Sequence, residues 1–357
     1  MNHWITKAQN IKPINQGWIK KAQARLDEQT RPQGSLGMLE GMITNIVAIT
    51  EKERPSVKNK KIFIFAADHG VEAEGISLFP KEVTTAMVMN FLNEGATINA
   101  LARQINADIS VVDVGVDADL GAHDQLINAK VRKGTRNFKL ESAMTEEELD
   151  QALQAGWNVV QEAKAKDVDL IGLGEMGIGN TTTASAVIAA ALNVDALEVT
   201  GRGTGLDEKG VKHKANVINV AIEQHQAYLK DPLAILQHVG GYEVAAMTGA
   251  ILACATLRIP VVIDGWIVAA SALIAYQLNP AILDYFILSH QSEEKGHQHV
   301  LKVFQKKPLL DLSMRLGEAS GAALSMSLIE SGMRIYNEVA TFAEAQVAGK
   351  KEEGNVT

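Results

Sequence analysis

Hydrophobic residues along this chain follow two alternating rhythms. Lys61–Ala67 is a short apolar run of bulky Ile and Phe, the pattern of a strand buried on both faces. Ile109–Val114, Asp169–Leu173, Pro260–Ile263 and Tyr285–Leu288 repeat it. Helical periodicity marks Gln16–Gln29, Ser35–Glu51, Glu82–Ile105, Thr145–Ala165, Thr182–Leu192, Lys209–Leu229, Leu233–His238, Tyr242–Leu257, Trp266–Gln277, Gly317–Ser331 and Arg334–Ala345. Ser35 is expected to cap its helix after the turn Thr30-Arg31-Pro32-Gln33-Gly34, and Thr145 with Glu148 spells a capping box. Glu82–Ile105 reads as one helix despite Gly95, His123–Ser142 as irregular surface, and Gly349–Thr357 as a frayed tail.

Repeated strand–loop–helix units predict an α/β fold with a mostly parallel sheet flanked by helices. The strand candidates end at Asp68-His69-Gly70, Asp113-Val114-Gly115, Gly172–Gly179, Asp264-Gly265 and Ser289-His290. Open parallel sheets bind ligands beyond their carboxyl ends, so the site is expected along that edge.

Composition narrows the function classes. With 357 residues, 46% hydrophobic and 21% charged, the chain can bury a large core. Its net charge of -8 and 5% aromatic content argue against nucleic acid as a partner. A lone cysteine, Cys254, excludes an internal disulfide framework and lies in an apolar run that suits burial. No stretch approaches the roughly 18 to 20 apolar residues of a membrane span, and the N-terminal residues lack the apolar centre of a secretion signal. No membrane insertion and a cytoplasmic address are therefore expected.

Gly172-Leu173-Gly174-Glu175-Met176-Gly177 matches the spelling GxGxxG and runs on into Ile178-Gly179-Asn180-Thr181-Thr182-Thr183. Glycines let backbone approach a ligand closely, and the helix start that follows favours an anion. A dinucleotide site wants an acid about 20 residues onward, a spacing Asp195 roughly meets although it follows the helix. No Lys precedes the Ser/Thr position, so the triphosphate-loop signature is absent. A small phosphorylated ligand, a dinucleotide and a purely structural turn all stay open from these residues.

Gly201-Arg202-Gly203-Thr204-Gly205-Leu206-Asp207, with Lys209, Lys212, His213 and Lys214 behind it, is either a second anion-gripping loop or a helix connection with solvated lysines. Asp68-His69-Gly70 and Ser289–His297 carry acids and bases but no zinc spacing, so no metal is expected. Neither Ser289 nor Ser292 lies in a nucleophile elbow. In Leu316-Gly317-Glu318 a carboxylate opens a small-residue helix: burial would raise its pKa and suit it as a base, while the helix dipole would lower it.

The ordered set Thr30–Gly37, Ala67–Val71, Gly172–Thr183, Gly201–Asp207, Asp264-Gly265, Ser289–His297 and Leu316–Glu318 resembles the nicotinate-nucleotide:dimethylbenzimidazole phosphoribosyltransferase family of cobalamin nucleotide-loop assembly. The resemblance spans residues 10–345. It implies transfer of 5-phosphoribose from nicotinate mononucleotide to 5,6-dimethylbenzimidazole, giving α-ribazole 5′-phosphate and nicotinate, with no cofactor. It implies Glu318 as general base. Phosphate and ribose contacts are implied at Gly174, Glu175, Met176, Gly177, Ile178, Gly179, Asn180, Thr181, Arg202 and Gly203, with Lys212 or Lys214 neutralising phosphate. Asp264 and Ser292 match family site residues, and Pro80, Met87 and Leu316 are the expected walls for the aromatic acceptor.

The same resemblance implies a doubly wound main domain at 61–309, a smaller helical domain from 1–60 and 310–357, and a homodimer. A nucleotide-dependent oxidoreductase and a non-catalytic small-molecule binder are the competing readings of the glycine motif.

Overall fold

The computed structural model describes residues 3–348. The expected frayed tail Gly349–Thr357 lies outside the described residues. Six strands, β1 (Lys60–Ala67), β2 (Ala107–Gly115), β3 (Leu126–Asn128), β4 (Leu170–Met176), β5 (Val261–Ile263) and β6 (Phe286–Leu288), form one sheet in the order β3-β2-β1-β4-β5-β6. Every neighbouring pair in it is parallel. A second, two-stranded sheet pairs β7 (His290–Ser292) with β8 (Leu310–Met314).

The helices are α1 (His3–Gln9), α2 (Gln16–Glu28), α3 (Met38–Thr50), α4 (Glu82–Leu92), α5 (Thr97–Ile105), α6 (Glu146–Ala165) and α7 (Asn180–Leu192). They continue with α8 (Ala196–Val199), α9 (Glu208–His225), α10 (Pro232–Val239), α11 (Tyr242–Leu257), α12 (Trp266–Leu278), α13 (His297–Phe304) and α14 (Ser320–Glu338). None is long and apolar enough to cross a membrane among the described residues.

The central strand shows why both faces are covered. Side chains alternate across a pleated strand, so Phe63 and Phe65 enter one apolar cluster while Ile62 and Ile64 enter the other. The first cluster holds α6, α7, α11 and α12 against the sheet; the second holds α2, α3, α4, α5 and α14. Two glycines bring α6 and α11 close: a Cβ on Gly156 would sit 1.7 Å from the Ala246 carbonyl oxygen, and one on Gly249 would sit 2.0 Å from that of Leu153. The sheet order reverses direction between β1 and β4, and the crevice at such a switch point is where doubly wound folds receive ligands.

Several sequence expectations need correction. Glu82–Ile105 is two helices, because Glu94 turns left-handed at φ 59° and Asn99 Oδ1 accepts from the Ala96 N–H, which starts α5 afresh. Ser35 does not cap α3; Gly37, at φ 54°, precedes its first residue. The two C-terminal helices merge into one, α14, which stops at Glu338 and leaves 339–345 non-helical; its interior Gly332 packs where a Cβ would meet Met42 at 2.7 Å. Strands β3, β7 and β8 and helix α13 were not anticipated; β3 is a short, half-buried edge strand with little apolar signal. The capping box is formed, with Thr145 Oγ1 accepting from Glu148 N at 3.2 Å and Glu148 Oε2 accepting from Thr145 N at 2.8 Å.

Candidate active site at the sheet switch point

A cleft of about 340 Å³ opens beyond the ends of β1 and β4. Its floor is built by the glycine motif: β4 ends in Glu175 and Met176, the turn Gly177–Gly179 follows, and α7 begins at Asn180. Gly177 passes so close to β1 that a Cβ would lie 2.0 Å from the Ala67 carbonyl oxygen. Gly179 has φ 99°, which an L side chain rarely adopts. Thr84 Oγ1 accepts from Ile178 N at 3.0 Å and pins the turn from α4. The resulting backbone shelf suits an anionic ligand.

Three carboxyl groups gather on one side. Glu175 is buried; Oε2 accepts from Asn180 Nδ2, and Oε1 faces the Glu318 N–H at 3.4 Å. Burial, helped by the neighbouring charges of Asp264 and Glu318, pushes its pKa up to about 8. Asp264 Oδ1 accepts from Ala322 N at 2.8 Å, and burial raises this carboxyl too, with His290 opposing.

Glu318 is pushed up to about 7, by burial first and Asp264 second. It is not in the helix: Gly317, Glu318 and Ala319 are all left-handed, at φ 83°, 60° and 63°, before α14 starts at Ser320. A non-glycine residue held there costs on the order of 1 kcal/mol, and such strain gathers at functional sites. The dipole expected to lower the Glu318 pKa is outweighed by desolvation. Gly174 and Gly317 make the close approach feasible: a Cβ on Gly174 would meet Ala319 N at 2.4 Å, and one on Gly317 would meet Glu175 Oε1 at 2.4 Å.

Two cations, Lys214 and Arg315, stand near a fourth carboxyl, Glu294. Lys214, on α9, is buried and donates to Thr181 Oγ1 at 2.6 Å. Burial lowers its pKa to about 8, and Glu294 pulls the other way. Glu294 accepts from the Gly203 N–H at 3.1 Å, which fastens the second glycine loop to the cleft. Arg315 completes this end.

Most of the residues anticipated from the sequence come together here. Met87, Glu175, Met176, Gly177, Ile178, Gly179, Asn180, Thr181, Gly203, Asp264, Ser292, Leu316 and Glu318 all line the cleft. Lys214 reaches it through Thr181, and Gly174 lies behind the wall as a spacer under Ala319. Arg202 and Lys212 face a neighbouring cleft of about 740 Å³ that shares Glu294 and Arg315 with the first. Pro80 is off the wall; Phe79 stands there instead, beside Ile76 and Met87. Asp195, at the dinucleotide spacing, is occupied in capping α8 and accepting from Asn219.

Sequence reasoning missed Phe79, Trp266, Glu294 and Arg315 as wall residues, whereas His290, at a strand end where the site was expected, does line the cleft. Arg315 and Phe79 each directly precede a residue that was singled out. Trp266 directly follows Asp264-Gly265, one of the strand ends expected at the site. Among the described residues no cluster of three His, Cys, Asp or Glu side chains has the arrangement of a metal site.

An open parallel sheet with a backbone anion shelf, a buried lysine and raised carboxyls beside an apolar mouth defines an α/β enzyme acting on a phosphorylated small molecule. The chain belongs to the phosphoribosyltransferase family, whose sequence profile matches residues 11–347, and is a pentosyl-transferring enzyme. It is 49% identical over 338 residues to the nicotinate-nucleotide–dimethylbenzimidazole phosphoribosyltransferase of Citrifermentans bemidjiense, covering 95% of this chain and 97% of that one. It is 50% identical to the protein of the same name from Geobacter metallireducens, covering 95% and 96%. The crystal structure of CobT from Thermus thermophilus superposes with a TM-score of 0.89 at 40% identity, covering 94% of this chain and 100% of that one.

Proposed function

We propose that this enzyme transfers the 5-phosphoribosyl group of nicotinate mononucleotide to 5,6-dimethylbenzimidazole, releasing nicotinate and α-ribazole 5′-phosphate. The names of its relatives support this, and so does the cleft. The observation that carries it is Glu318: a carboxyl held near neutrality by burial, on the wall of a pocket with an apolar mouth.

In this reading an unprotonated ring nitrogen of the acceptor attacks the ribose anomeric carbon from the face opposite nicotinate. The carbon–pyridinium bond breaks, and its electron pair neutralises the departing ring, so no acid is needed. Glu318 takes the proton from the acceptor's other nitrogen, which avoids a cationic azole in a desolvated pocket. A base with a pKa near the working pH is well matched to that task. Holding the two rings on opposite ribose faces makes attack effectively intramolecular.

The shelf Gly177–Gly179 with Asn180 and Thr181 receives the phosphoribosyl group, Lys214 neutralises phosphate through its free N–H groups, and Met87 and Leu316 flank the acceptor. Homodimerisation and a cytoplasmic address belong to the same reading, and sedimentation of the purified protein tests the first. Incubation with both substrates followed by separation of products tests the reaction. Absence of both nicotinate and azole ribotide would refute it. The oxidoreductase reading loses its support because the acid it needs is engaged in capping α8.

A further inference from the structure

We propose that His69, backed by Glu243, is a positioning residue that sets the height of the Gly177–Gly179 turn above the end of β1. The inference rests on the reading of the cleft as a phosphoribosyl pocket. His69 follows β1 and is buried, and its ring joins three elements. Nδ1 lies 2.9 Å from Oγ1 of Thr183, in the first turn of α7. Nε2 lies 3.1 Å from Oε1 of Glu243, the second residue of α11.

The glycine turn rests on this ring. A Cβ on Gly177 would come within 3.2 Å of His69 Nε2, and one on Gly179 within 3.0 Å of His69 Cβ. On the far side, a Cβ on Gly241 would lie 2.6 Å from His69 Cε1. The imidazole therefore acts as a spacer between the α11 cap and the backbone shelf, while Thr84 holds the shelf from α4.

Stability alone does not explain the pair. Both side chains are fully buried, and the contact at 3.1 Å lacks hydrogen-bond alignment, so neither Glu243 oxygen has a hydrogen-bonded partner. An apolar pair of similar volume would serve the core at lower cost. Buried polar groups left short of partners call for a reason beyond packing, and the adjacent ligand shelf supplies one. Shifts of about 1 Å in such a support can cost roughly 100-fold in rate.

The test uses Thr183→Val, which removes the hydroxyl in nearly the same shape, Thr183→Ser, which keeps it, and His69→Phe, which keeps ring volume alone. Steady-state kinetics should show the KM for nicotinate mononucleotide rising at least ~10-fold in Thr183→Val and His69→Phe, with the KM for dimethylbenzimidazole within about twofold. Thr183→Ser should restore the donor KM. Hydrogen exchange at Ile178 and Gly179 should accelerate in Thr183→Val and not in Thr183→Ser.

If His69→Phe fails to unfold cooperatively, the Thr183 pair decides. A folded Thr183→Val protein with unchanged donor KM and unchanged exchange overturns the proposal, as does an equal rise in both KM values. If the unmodified protein turns over neither substrate, the functional reading fails by itself, and the exchange measurement still decides whether this contact positions the turn.

Discussion

The backbone N–H of Glu318 faces Oε1 of Glu175 at 3.4 Å, so the start of α14 and the end of β4 carry two raised carboxyls on one contact. Moving either element would disturb both groups. The left-handed backbone of Gly317, Glu318 and Ala319 brings the chain into this position.

Glu318→Gln keeps the side-chain volume and removes the proposed base. Turnover should fall ~10²- to 10⁴-fold, the usual worth of positioned proton transfer, with donor affinity nearly unchanged and with the thermal transition nearly unchanged at about pH 5, where the folded-state carboxyl is neutral. Single-turnover assays with saturating substrates check this.

Glu175 makes stability depend on pH with a defined sign. Its folded pKa of about 8 stands above the ordinary value of 4.5, so between these the folded state binds more protons than the unfolded state. Its contribution is favourable at low pH and is lost as pH rises through the folded value. Glu175→Gln should therefore gain thermal stability relative to the unmodified protein as pH is raised from about 5 to about 8.5, measured by melting curves in matched buffers.

Lys214→Met should raise the donor KM by ~10- to 100-fold, corresponding to the loss of a charged hydrogen bond worth about 1.5–3 kcal/mol. Lys212→Met, in the neighbouring cleft, should change it far less. Because burial lowers Lys214 to about 8 and Glu318 must be ionised above about 7, kcat/KM should follow a narrow bell with its maximum between these values. A pH–rate profile under donor-limiting conditions reads both limbs, and Lys214→Met should lose the alkaline one.

Gly177→Ala forces a methyl group to within 2.0 Å of the Ala67 carbonyl oxygen. Neither backbone can yield without moving a central strand, so destabilisation of about 3 kcal/mol is expected, together with weaker donor binding. Chemical denaturation and calorimetric titration with nicotinate mononucleotide measure the two effects.

The chain's own sequence determined what depends on near neighbours. Unbroken apolar runs specified the strands at Lys60–Ala67 and Ala107–Gly115, and Thr145 with Glu148 specified a helix start, because periodicity and capping act over a few residues. The glycine turn was legible for the same reason, because it demands a particular backbone locally; Leu316-Gly317-Glu318 stood out by its carboxylate and by resemblance, while its left-handed backbone outside the helix did not.

Tertiary structure decided what depends on distant atoms. It put Lys214 against Thr181 and Lys212 in the neighbouring cleft, put Phe79 rather than Pro80 on the wall, and carried one helix through Gly332 where two were expected. It also placed Glu318 before the helix, in a buried position beside Asp264 that raises its pKa. Desolvation and close packing are sums over neighbours far apart in sequence, so no local pattern could have expressed them.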